Sequence, residues 1–105
     1  MSGVKKFTDS LLVTLCTAWD GRSREEVYEQ DIIPLLESAI PELRFHTGAP
    51  EQLRECVIGF KQVIVFADAG LLDDAESLDQ MIINKLGNLI MYLKNVDGSE
   101  MYHAN

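Results

Sequence analysis

Apolar residues recur along this chain at the three- and four-residue spacing of helices, in four separate stretches. In residues 4–19, Phe7, Leu11, Leu15 and Ala18 fall on one stripe, and Leu12, Cys16 and Trp19 widen it. Asp20-Gly21 stops the pattern, because glycine readily takes the left-handed conformation that ends helices. The second stretch, residues 24–40, opens on Ser23-Arg24-Glu25-Glu26. That is a capping box, in which Ser and Glu three residues apart satisfy free backbone amides. Val27, Tyr28, Ile32, Leu35, Leu36, Ala39 and Ile40 supply its apolar face. Pro34 lacks an amide and crowds the turn before it, so a kink or break is expected at residues 31–33. From Pro41 a long connection is expected.

The third stretch, residues 50–69, starts at Ala49-Pro50, with proline at a first helical position. Leu53, Cys56, Val57, Phe60, Val63, Ile64 and Ala67 form its stripe, and Gly70 is its expected stop. The β-branched content of residues 62–67 also permits a buried strand; the unbroken stripe back to Leu53 favours helix. The fourth stretch, residues 75–95, follows a cap at Asp73 or Asp74. Its stripe is Leu78, Ile82, Leu86, Leu89 and Leu93, with Ile83 and Ile90 beside it. It is expected to end near Asn95, with an exit turn at Asp97-Gly98 and a loosely ordered tail over residues 98–105. The pattern predicts an all-α fold: a compact four-helix bundle-like single domain over residues 1–105, its second helix kinked or broken near Pro34.

Composition agrees with one globular domain: 105 residues, 47% apolar and 25% charged. The net charge of −8 argues against a direct nucleic-acid partner and fits a protein partner with a basic surface. Cys16 and Cys56 lie in apolar runs and are expected to be reduced thiols in the core. No apolar stretch approaches the ~20 residues that span a bilayer, and the first residues carry no apolar signal-peptide core. A cytoplasmic protein with no membrane partner is the resulting expectation.

Little points to catalysis. His46 falls in an expected loop and His103 in the tail, and neither has metal-ligand spacing to other donors. Asp68, Asp73 and Asp74 cluster, but Leu71 and Leu72 occupy positions where an EF-hand needs oxygen ligands. No phosphate-binding glycine loop, nucleophile elbow or metalloprotease motif occurs. No catalytic residue, metal site or cofactor is therefore assigned, and the chain is not expected to be an enzyme.

Candidate partner-binding residues come from uneven charge and from apolar positions outside the core stripes. Residues 25–42 carry Glu25, Glu26, Glu29, Asp31, Glu37 and Glu42 with no base among them. Residues 68–79 carry Asp68, Asp73, Asp74, Glu76 and Asp79, again with no base. If Glu25, Glu26 and Glu29 meet Asp73, Asp74, Glu76 and Asp79 on one face, they form a negative patch able to compete with phosphates. Several of these acids also lie near helix starts, where the macrodipole favours them for local reasons. On the third helix, Ile58 and Val65 sit one heptad apart opposite the core stripe. Either that helix is buried on several sides, or they form a docking strip. On the fourth, Asn84, Gly87, Asn88 and Met91 make an uncharged outward face, which suits self-association into a homodimer.

In size, charge and lack of catalytic motifs the chain resembles, as a class, the small acidic helical inhibitors of phages and mobile elements. It also resembles small bacteriocin-immunity proteins. The class implies a protein-binding inhibitor that blocks a nucleic-acid-handling complex, of CRISPR or restriction type, through an acidic surface. An immunity protein that neutralises a basic toxin, or a small accessory subunit of a larger enzyme, is the alternative.

Overall fold

All four periodic stretches form helix in the computed structural model, which describes the backbone of residues 3–103 and the side chains of residues 3–95. Helix α1 spans Gly3–Thr17. The second segment is α2 (Arg24–Val27), a wider π turn (Tyr28–Ile32) and α3 (Ile33–Glu42). Helix α4 spans Ala49–Asp68 and α5 spans Leu72–His103. Among the described residues there is no strand, so residues 62–67 are helical and the stripe back to Leu53 prevailed.

Local chemistry sets the boundaries. The Ser23 hydroxyl accepts the Glu26 amide at 3.2 Å, and so caps α2. The second half of the capping box differs from expectation, since the Glu26 carboxylate accepts a hydrogen bond from the Ser23 hydroxyl at 3.3 Å. The disturbance at Pro34 is a π turn rather than a break. There the Ile33 amide donates to the Tyr28 carbonyl five residues back, and Pro34 enters the first turn of α3. Widening the turn accommodates a residue that has no amide to give. The helix then runs through Pro41 to Glu42, two residues beyond its expected end. Gly70, at φ 81°, ends α4 as expected, with the Leu71 amide bonded to the Phe66 carbonyl at 2.9 Å.

Several expectations fail, among them the cap of α5, which begins at Leu72 and so places Asp73 and Asp74 inside its first turn. Helix α5 continues past Asn95 and through Asp97-Gly98 to His103, because a single mid-helix glycine costs only about 1 kcal/mol. The side chains of the expected tail, residues 98–105, lie outside the described part. Cys16 is exposed, while Cys56 is buried as expected. The apolar arc of α1 is wider than its contact, so Val4, Phe7 and Leu11 are buried whereas Leu12, Val13, Leu15 and Trp19 are exposed.

Short loops reverse the chain between successive segments, and the result is an all-α, four-helix bundle-like fold. One core joins all of them, with Phe7, Leu11, Ile32, Leu36, Leu53, Phe60, Val63, Leu89 and Leu93 fully enclosed. Ion pairs tie neighbours at the surface: Lys6–Glu42 between α1 and α3, Lys61–Glu37 between α4 and α3, and Lys85–Glu55 between α5 and α4. Helices α4 and α5 pack closely at Gly59, where a Cβ would collide with the Ile82 side chain. Helix α1 is the least embedded, and its divergence from α5 opens the site described next.

Candidate functional site

The C-terminal half of α1 and the middle of α5 do not close on each other. Between them runs a groove of about 320 Å³. Leu15 and Trp19 form one wall, and Ile83, Gly87 and Ile90 form the other. Tyr28, Ile32, Phe60 and Leu86 make the floor. The aromatic floor is fixed by packing: Tyr28 and Phe60 lie 4.6 Å apart between ring centres, and Trp19 meets Tyr28 edge-on at 6.3 Å. Trp19 is anchored by its indole N–H, which donates to the Leu15 carbonyl.

Arg24 and Asp79 form the polar end of the groove. The Tyr28 hydroxyl donates to Asp79, which is only 5% exposed. Arg24 reaches Glu76 at 2.9 Å, Asp79 at 3.4 Å and Glu25 at 3.8 Å. Three carboxylates thus surround one guanidinium, so this end keeps a negative excess. Burial, and then the bond to Asp79, push the Tyr28 hydroxyl far above its ordinary pKa, so it stays a donor. The Arg24 Nε–H is buried with no partner among the described residues.

A second arginine builds the approach to the groove. Arg22 grips Asp31 at 2.7 and 3.1 Å, Gln30 at 3.0 Å and the Ala18 carbonyl at 3.2 Å. It pins the turn after α1 to the π turn, and its guanidinium holds Asp31 below the usual carboxylate pKa.

One residue of the first acidic run, Glu25, and two of the second, Glu76 and Asp79, share Arg24. Asp79 is nearly buried in this network, so Glu25 and Glu76 are the more accessible carboxylates of the groove end. Glu26, Glu29, Asp73, Asp74 and Glu76 are exposed. Ile58 and Val65 are 67% and 56% exposed, so α4 is not buried on all sides and the strip faces outward. Asn84, Gly87, Asn88 and Met91 are exposed on α5. Of these, Gly87 belongs to the groove wall, and a Cβ there would meet nothing within 4 Å among the described residues. A mid-helix glycine costs about 1 kcal/mol relative to alanine, and in this chain Gly87 packs nothing in return.

The roles of Trp19, Arg24 and Tyr28 escaped the sequence reading. Trp19 and Tyr28 looked like core, and the partners of Arg24 lie 52 and 55 residues away. Among the described residues no three His, Cys, Asp or Glu side chains are placed to hold a metal ion. None of the described helices is long and apolar enough to cross a membrane.

No protein-family model, curated protein or solved structure matches this chain. Its described residues form a four-helix bundle-like fold with an uncovered apolar groove that has a carboxylate-rich end.

Proposed function

We propose that this protein acts by binding another protein, and that it inhibits its partner by covering a basic surface used to handle nucleic acid. The observation that carries the reading is the union of an open apolar groove with carboxylates in excess over their one guanidinium. Apolar burial supplies about 25 cal/mol per Å², whereas the carboxylates select a basic partner and speed the encounter. The same carboxylates repel phosphates, so nucleic acid is not itself the ligand. The free thiols of Cys16 and Cys56 suit a reducing compartment, and the cytoplasm is the proposed location. The proposal gives no residue a catalytic role.

The test is capture from a lysate of the cells that carry the gene, at low and high salt, with variants alongside the parent. One captured protein should weaken with salt, and both Glu25→Lys/Glu76→Lys and Gly87→Leu should lose it, while Glu51→Lys keeps it. Capture unchanged by both variants overturns the reading. Loss confined to Ile58→Asp and Val65→Asp moves recognition to the outer face of α4. A captured toxin would replace inhibition of nucleic-acid handling with immunity as the consequence of binding.

A further inference from the structure

Taking the groove as the docking site, we infer that its occupant is a single amphipathic α-helix of the partner, with basic residues at the end that meets Glu25 and Glu76. This rests on the reading just given and specifies the form of its ligand.

The walls carry the first argument. Leu15 near the end of α1 and Trp19 just beyond it are four residues apart, and Ile83, Gly87 and Ile90 on α5 are spaced four and three. These are seam spacings, by which one helix packs against another. Two such seams flanking a trough offer a fifth helix a place beside α1 and α5.

Backbone chemistry carries the second. The lining is apolar apart from Arg24, Asp79 and the Tyr28 hydroxyl, and all are engaged with neighbours except the single Arg24 Nε–H. An extended segment laid there would bury amides and carbonyls without partners, and the described residues offer no strand edge to pair with it. A helix satisfies its own backbone and can lie on an apolar floor.

Gly87 carries the third. At Gly59, the other α5-related glycine contact, Ile82 fills the space that a side chain would need. At Gly87 no described residue fills the equivalent space, which opens on the groove. A bare position in the wall lets an incoming helix backbone approach closely.

Charge complementarity selects the partner over a second copy of this chain. The protein carries −8 overall, and the groove end has three carboxylates around one guanidinium. Those carboxylates also favour the positive end of a helix dipole.

Trp19 is the only tryptophan and lies in the groove wall, so its fluorescence reports occupancy directly. The probes are three synthetic peptides of about 18 residues, roughly five turns. One has leucines at helical spacing and lysines at one end. A second has the same composition with leucines alternating. A third has glutamates in place of the lysines. The first should shift Trp19 emission and gain helical circular dichroism on binding. The other two should bind at least ~10-fold more weakly. Gly87→Leu should abolish the shift while its own thermal melt stays cooperative.

Equal binding of the periodic and alternating peptides, or no response to any of them, overturns the helix. So does sedimentation of the protein alone as a dimer that Gly87→Leu dissolves, which would make a second copy the occupant. If lysate capture depends on Glu25 and Glu76 yet no helical peptide binds, the helix inference falls and the binding-protein reading survives. If capture depends on neither the acids nor Gly87, both fall.

Discussion

Tyr28 shows how one side chain can serve both core and site. Its ring packs on Phe60, its edge meets Trp19, and its hydroxyl donates to the buried Asp79. Tyr28→Phe keeps the packing and removes the donor, leaving a buried carboxylate less satisfied. Urea denaturation should find it about 1–3 kcal/mol less stable than the parent. Alkali acts in the same direction. Burial raises Cys56 from 9.0 to about 11 and raises Tyr28 further, so the folded state retains protons that the unfolded chain releases. Their stabilisation is complete below pH 9 and declines as pH rises toward and past 11. Urea midpoints measured on both sides of pH 9 should therefore fall, and Cys56→Ala, although less stable throughout, should fall less steeply. At this scale the Ser23 cap was legible because its partner is three residues away. The work of Arg24 was not, since its partners Glu76 and Asp79 come from α5.

Helices were legible as elements, but their faces were only partly so. Periodicity located α4 to within a residue at each end, and Ser23 and Gly70 marked true boundaries. Ser23→Ala should cost about 1 kcal/mol by loss of the α2 cap, read as a lower thermal midpoint. Pro34 announced a disturbance without revealing that the helix would widen and carry on. The two glycines on facing helices make a sharper test. Gly59→Ala drives a methyl group into Ile82 and should destabilise by about 1–3 kcal/mol. Gly87→Ala meets open space and should stabilise by up to ~1 kcal/mol through helix propensity alone. Equal responses at the two sites would mean that the α4–α5 approach and the open wall are not as described. Leu12, Leu15 and Cys16 read as core in sequence, because a wide apolar arc looks the same whether one flank or two are covered.

Across the whole molecule, one element is long and one is loosely held. Helix α5, at 32 residues, spans about 48 Å and sets the longest dimension of 53 Å. The radius of gyration, 14.7 Å, therefore exceeds the ~13 Å of a sphere-like domain of this length. Helix α1 buries its N-terminal half and leaves its second half against the groove. Hydrogen exchange should accordingly be faster for amides of residues 12–17 than for those in the middle of α4. A bound helix should slow the former selectively. Exchange in α1 as slow as in α4, with no ligand present, would contradict an open groove.

The sequence by itself determined the four helical stretches, the Ser23 cap, the Gly70 stop, most of the buried stripes and the separation of acidic from basic stretches. These follow from periodicity, backbone chemistry and composition, all local in the chain. Only the tertiary structure decided which apolar flanks stay uncovered, that Asp79 turns inward to Tyr28, and that Arg24 gathers carboxylates from two distant runs. Those outcomes depend on how far α1 diverges from α5 and on which residues meet across 50 or more positions of chain. No spacing within one helix encodes that geometry, because it arises when the packed core leaves one side of the bundle unfilled.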